Sequence, residues 1–208
     1  MIITYLGKQF FKIQQGDLVI AFNPISKDSK SKDLASRFGA TIALSTTNHP
    51  DYNGFEMVSH GETVPFKING PGDYEVKDIF IKGILNETTI DNKKYMNTIY
   101  SLSIDNISIC FLGAISESKL STEVSGQIES PDILFVPIGN GELLNPTEAY
   151  KLAVSLEPKI IIPMEYDQAS LKSFLKEGGQ EKITPVDKLT IKAKELIGRE
   201  GDIVVLSS

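Results

Sequence analysis

Two side chains able to take part in metal binding, His49 and Asp51, stand two residues apart in the stretch Ser45-Thr46-Thr47-Asn48-His49-Pro50-Asp51-Tyr52-Asn53-Gly54. An imidazole and a carboxylate at that spacing can share one divalent cation. They can equally form a structural pair, with the histidine bonded to loop backbone and the carboxylate capping a short helix after Pro50. The residue types leave both readings open. The other histidine, His60, precedes Gly61 in a loop and reads as a surface residue rather than a base. Other catalytic designs find less support. No G-x-S-x-G elbow precedes a helix, and Cys110 lies inside an alternating apolar run rather than at a helix start, where its pKa would fall. Gly139-Asn140-Gly141 reads as an ordinary turn, although its backbone N–H groups could face an anion.

The elements that must position the loop are legible from periodicity. Thr41–Leu44, just before it, is an apolar run that reads as a buried strand. Upstream, Ile2–Leu6, Phe10–Gln14 and Leu18–Phe22 read as a meander, and Asp28–Phe38 as a short helix stopped by Gly39. After the turn at Gly70-Pro71-Gly72-Asp73, a hairpin is expected around Lys77-Asp78. Strands follow at Thr98–Ile104 and Ile107–Leu112, hinged at Asp105-Asn106. The second half changes character. Asp132–Val136 is a strand, Asn145-Pro146 opens a helix with Ala149, Leu152, Ala153 and Leu156 on one face, and Pro158 ends it. Ile160–Pro163, a short helix at Ser170–Lys176 and a terminal strand at Ile203–Leu206 complete the chain. Strands first, then strand–helix–strand units, imply two sheets with helices outside them: an αββα four-layer sandwich, expected as one domain over residues 1–208.

Composition narrows the class. A formal net charge of −6 argues against a broad phosphate-binding surface, so nucleic acid is not an expected partner. Lys27, Lys30 and Lys32 are interleaved with Asp28 and Asp33 and read as a solvated face. The start of the chain alternates as a strand does and is expected to be a strand rather than a secretory signal, and no apolar run reaches the roughly 18 residues of a membrane span. With one cysteine, a cytoplasmic location is expected.

Five segments, in order, resemble small metallo-β-lactamase-fold hydrolases related to L-ascorbate-6-phosphate lactonase. Met1-Ile2-Ile3-Thr4-Tyr5-Leu6-Gly7 is similar to the opening strand, and Val19-Ile20-Ala21-Phe22-Asn23-Pro24 to I-x-I-D-P, with Asn23 at the aspartate. Gly70-Pro71-Gly72-Asp73-Tyr74-Glu75-Val76 is similar to G-P-G-E-Y-E-V, Phe111-Leu112-Gly113-Ala114 to the L-G-D strand end, and Ile161-Ile162-Pro163-Met164-Glu165-Tyr166 to I-P-M-H-Y. In the loop, the family pattern H-x-H-x-D-H sets its histidines at Thr47, His49 and Tyr52 and its aspartate at Asp51.

The resemblance implies two zinc or manganese ions, held at Thr47, His49, Asp51, Tyr52, around Asn86-Glu87, at Ala114 and at Glu165. Only His49 and Asp51 keep the implied identity. Ala114 has no donor atom for the bridge between the ions, Thr47 offers a neutral hydroxyl, and Tyr52 coordinates well only when ionised. The expectation is therefore a catalytically degenerate member with no cofactor, binding an unidentified protein or small-molecule partner, or assembling as a homo-oligomer. The alternative is a metal-dependent hydrolase of a lactone, phosphorylated sugar or phosphodiester. Its rebuilt mononuclear site would draw on His49, Asp51, Glu165 and Glu87 and weakly hold manganese, magnesium, iron or zinc.

Overall fold

The computed structural model describes residues 1–31, 37–139 and 143–208. Alternating apolar residues build the opening meander. Strands β1 (Ile2–Tyr5), β2 (Phe11–Gln15) and β3 (Leu18–Phe22) pair antiparallel, and β4 (Ile42–Leu44) and β5 (Phe66–Ile68) add to β3 in parallel. A ribbon follows: β6 (Gly72–Val76), β7 (Ile79–Ile90), β8 (Lys93–Ile104) and β9 (Ile107–Phe111). Its strands are joined at Lys77-Asp78, Asp91-Asn92 and Asp105-Asn106. Both residues of each turn have positive φ, the backbone that matches strand twist in a two-residue hairpin. The chain then runs through α1 (Thr122–Ser125), β10 (Ile133–Pro137), α2 (Pro146–Ser155), β11 (Ile160–Met164), α3 (Gln168–Glu177), β12 (Leu189–Thr190) and β13 (Asp202–Ile203).

Two sheets result, ordered β12-β1-β2-β3-β4-β5 and β13-β11-β10-β9-β8-β7-β6. Their facing sides close on one apolar layer in which Phe11, Phe22, Phe111 and Phe135 pack ring against ring. The opposite face of the second sheet carries Ile99, Cys110, Leu134 and Ile161 and is covered by Leu152, Ala153, Phe174 and Leu175 of α2 and α3. The outer face of the first sheet, with Ala21 and Ala43, is covered by Phe10, Phe38 and the short 3-10 turn at Phe55–Val58. The layering expected from the sequence is present, as a mixed two-sheet sandwich with few helices.

Asn145 caps α2 with its side chain, Pro146 begins it, and Gly178 ends α3, as read from sequence. Of the helix expected at Asp28–Phe38, residues 32–36 lie outside the described residues, as do Asn140 and Gly141 of the expected glycine turn, and residues 28–31 and 37–38 are not helical. Two expectations are corrected. The ribbon strands are far longer than the 74–81 hairpin and the Thr98–Ile104 strand, because Lys82–Thr89 and Lys93–Asn97 also pair although many of their side chains are polar and exposed. The final strand is only Asp202–Ile203, with Leu206 forming an isolated bridge to Val186.

Candidate functional site

The directions of the strands gather the candidate residues at one end of the sandwich. Strands β1, β3 and β4 run the same way, as do β9, β10 and β11. The segments after them carry Lys8, Asn23, the 45–54 loop, Ala114 and Glu165. The carboxyl ends of parallel strands are where clefts open in sheets of this kind. Here they enclose a cavity of about 460 Å³ lined by Lys8, Asp28, Lys30, His49, Asp51, Tyr52 and Glu165, among others.

The 45–54 loop is fastened by its backbone. Ser26 N donates to Pro50 O at 2.8 Å, Gly54 N to Pro24 O at 2.6 Å, and Tyr52 N to His49 O at 2.8 Å. Gly54 has no room for a side chain, since a Cβ there would lie 2.3 Å from the Ile25 carbonyl carbon. Asp51 therefore sits in a turn and does not cap a helix after Pro50, and the 3-10 turn at Phe55–Val58 has no side-chain cap.

Lys8, which the sequence did not single out, occupies the middle of the cleft. Its Nζ is 2.6 Å from Asp51 Oδ2 and 3.2 Å from Glu165 Oε1. Asp51 Oδ1 accepts a bond from Ser29 Oγ. Glu165 is enclosed by donors: Gln9 Nε2 at 2.7 Å from Oε2, and the Tyr52 hydroxyl at 2.9 and 3.1 Å from its two oxygens. Burial works against the Lys8 charge, but Glu165 and Asp51 outweigh it and hold the ammonium above its ordinary pKa. Burial likewise opposes ionisation of Asp51, yet Lys8 and Ser29 prevail and keep that carboxyl below its usual value. At Glu165, more deeply enclosed, burial prevails over Lys8, Tyr52 and Gln9 and pushes the pKa up. The two carboxylates that share one ammonium are thus shifted in opposite directions. Asp51 is the firmly ionised partner, and Glu165 takes up a proton first.

Behind this trio runs a buried amide relay. Gln9 Oε1 accepts from Asn23 Nδ2 at 3.0 Å, and Asn23 Nδ2 also reaches Thr46 Oγ1 at 2.9 Å. Asn23 Oδ1 accepts from Thr46 N at 2.8 Å. An aspartate at position 23 could only accept, and would turn a carboxylate toward the Gln9 carbonyl.

A second buried amide, Asn97, organises the other side. Its Oδ1 accepts from Thr47 Oγ1 at 3.1 Å and from Ala114 N at 3.0 Å, while Nδ2 donates to Leu112 O at 2.9 Å. Thr47 and Ala114 are both buried, and the Ala114 methyl packs with Tyr52 and Ile90. His49 lies 5.7 Å in centroid distance from both Tyr52 and Tyr95. Its Nδ1 is 4.0 Å from Asp51 Oδ2, but the same nitrogen accepts the Asp51 backbone N–H at 3.3 Å. That contact turns Nδ1 toward the loop backbone, and the 4.0 Å separation from Asp51 Oδ2 is too long for a hydrogen bond.

The structure therefore brings Thr47, His49, Asp51, Tyr52, Ala114 and Glu165 together, and it leaves Glu87 out. Glu87 is exposed on β7 and lines a separate depression with Leu85, Glu117 and Lys119, because its neighbours Thr88 and Ile84 take the inward positions. Gln9, Asn97 and Lys8 were missed by sequence reasoning. Polar residues within or beside strands look like surface until burial is known, and the only signal for Lys8 was Gly7 before it.

The donor set does not fit a two-metal centre. Thr47 and Tyr52 direct their hydroxyls into internal hydrogen bonds, Ala114 has no donor, and the Lys8 ammonium is already paired with both Asp51 and Glu165. Among the described residues no group of three or more His, Cys, Asp and Glu side chains is placed to hold a metal ion.

Residues 2–165 match the family model of the beta-lactamase superfamily domain. A metal-dependent hydrolase of Methanosarcina mazei is 23% identical over 190 residues, covering 79% of this chain and 83% of that protein. Among solved structures, a Zn-dependent hydrolase of the metallo-beta-lactamase superfamily from Thermotoga maritima aligns with a TM-score of 0.75 and 24% identity, covering 99% of this chain and 97% of its own. A metal-dependent hydrolase from Parabacteroides distasonis aligns at 0.67 and 17%, covering 99% and 93%. At these identities the structural likenesses speak for the fold. No helix among the described residues is long and apolar enough to cross a membrane.

Proposed function

This chain belongs to the beta-lactamase superfamily, and on that premise we propose that it is a binding protein whose cleft works without a two-metal centre. The observation that carries the reading is the Asn97 amide. It occupies the junction between the 45–54 loop and the end of β9, bonding Thr47 and Ala114 directly where the resemblance sets metal ligands. A carboxamide that satisfies a hydroxyl and a backbone N–H holds the two segments together, which a bridging ion and its aspartate would otherwise do. The cavity mixes Asp28, Asp51, Asp91 and Glu165 with Lys8, Lys30 and His49, which suits a small polar ligand rather than an apolar one.

A second reading, hydrolysis at a rebuilt single-metal site, draws support from the names of the relatives and from His49 and Asp51 standing side by side. Elemental analysis after dialysis without chelator separates the two. We expect less than one equivalent of zinc or manganese and no loss of melting temperature on adding chelator. Stoichiometric tight metal, with metal-dependent hydrolysis of a lactone or phosphodiester, would instead establish the second reading.

A further inference from the structure

We propose that the Lys8 side chain is a tethered cation filling a cation site of the cleft, so that removing it opens Asp51 and Glu165 to an external divalent ion. The inference rests on the metal-free reading above, and its own support is different.

Two carboxylates from segments more than a hundred residues apart converge on one nitrogen, both within 3.2 Å of Nζ. Among the described residues their other hydrogen bonds come from neutral donors: Ser29 on Asp51, Gln9 and Tyr52 on Glu165. Without the ammonium, two mostly buried carboxyls would face each other across its place. Like charges in such a site must then protonate or gather a cation.

The backbone supplies independent support. Ten described non-glycine residues have positive φ, and six of them form the three hairpin turns. Of the other four, three are Lys8 (φ 48°), Asn23 (φ 45°) and Glu165 (φ 52°), all at this cleft. Glu165 N donates to Lys8 O at 2.7 Å, so the two left-handed residues are bonded back to back with their side chains turned to the same point. Left-handed backbone is unfavourable for residues with a Cβ and persists where surrounding structure demands it. Lys8 adopts it within the β1–β2 turn that Phe10 N closes on Gly7 O at 2.8 Å, and Glu165 adopts it with its N–H on Lys8 O. The ion pair that this geometry assembles is a reason for Glu165 to hold it, and the turn presents Lys8 to the same point.

The geometry also selects the kind of ion. A hard cation at the position of Nζ needs carboxylate oxygens at roughly 2.0–2.6 Å, against 2.6 and 3.2 Å to the ammonium, so modest rotation of two side chains suffices. Oxygen donors with water completing the shell suit manganese or magnesium better than zinc.

Lys8→Gly is the variant of choice because glycine accepts φ near 48° without strain and leaves no side chain. Binding of Mn2+ is followed by loss of the free-ion electron paramagnetic resonance signal, alongside melting temperature, for the wild-type chain, Lys8→Gly and Lys8→Gly/Asp51→Asn. Lys8→Asn, also tolerant of left-handed backbone but too short to reach the carboxylates, serves if the glycine variant does not fold. We expect Lys8→Gly to melt below wild type without metal, to bind one Mn2+ at least tenfold more tightly than wild type, and to recover melting temperature with it. The double variant should lose both effects. A folded Lys8 variant that binds Mn2+ no better than wild type overturns the tethered-cation proposal and leaves the metal-free reading standing. Stoichiometric Mn2+ on the wild-type chain overturns both.

Discussion

At Ala114 the methyl group lies against Tyr52 and Ile90, and the backbone N–H donates to Asn97 Oδ1. A carboxylate placed there would be buried beside Asn97 Oδ1, an acceptor, and the Lys8 ammonium of the cleft already serves Asp51 and Glu165. An uncompensated buried charge costs about 3 kcal/mol or more. Ala114→Asp should therefore lower the melting temperature by about 10 °C in a chain of this length. A rise in melting temperature, or one produced by manganese, would mean that the cleft of the unmodified chain already holds a metal ion. Asn23 belongs to the same logic. Its Nδ2 donates to both Gln9 and Thr46, a task open to an amide and closed to the aspartate that the resemblance sets there.

At the level of elements, the cleft depends on how closely the segment after β9 approaches the 45–54 loop. Gly113 has φ +70°, and a Cβ on it would lie 2.5 Å from Asn97 Oδ1 and 2.7 Å from Thr46 Cβ. Gly16, in the turn between β2 and β3, has a comparable φ of +56° and nothing within 4 Å. Substituting alanine at each separates backbone strain from crowding. Gly16→Ala should cost about 1 kcal/mol, the penalty of left-handed backbone alone. Gly113→Ala should cost about 3 kcal/mol, since overpacking adds to it. Chemical denaturation of the pair measures the difference, and equal costs would show that the Asn97 junction yields easily. The long β7–β8 hairpin belongs to the same construction, because it presents Asn97 inward and sets Ile90 and Asp91 on the rim of the cavity.

For the molecule as a whole, the charged groups set how stability responds to pH. Burial opposes ionisation of Asp132 as it does for Asp51, but Lys159 and Ser108 outweigh it, so both aspartates sit below 3.8. Each contributes stability that is complete above 3.8 and is lost as pH falls through its lowered folded value. Glu165 has the opposite sign. Its folded pKa lies above 4.5, so stability declines as pH rises from 4.5 through that value. Lys8 is raised above 10.5, and its contribution is present below 10.5 and lost as pH climbs through the folded value. Thermal denaturation should show an acid limb below pH 3.8 and an alkaline limb above pH 10.5. Lys8→Met should shrink the acid limb, since Asp51 loses its main partner, and remove the Lys8 share of the alkaline one. Unchanged limbs in that variant would place the pH dependence elsewhere in the chain.

The sequence alone determined the sandwich, because alternation at Ile2–Tyr5 and Leu18–Phe22, the Asn145-Pro146 helix start and the Asp105-Asn106 turn are local signals that tertiary packing reinforces. Likewise, the absence of a donor at Ala114 was legible once the family resemblance set the frame. Three things were decided only by tertiary structure. Glu87 faces outward because the inward register of β7 falls on Ile84 and Thr88. Asn97 is a hub because β8 runs long enough to bring it under Gly113. Lys8 meets Glu165 across 157 positions of sequence because β1 and β11 end at the same edge of the sandwich. Charge pairing of that range leaves no periodicity in a chain, since a lysine after a strand looks the same whether it meets water or two carboxylates.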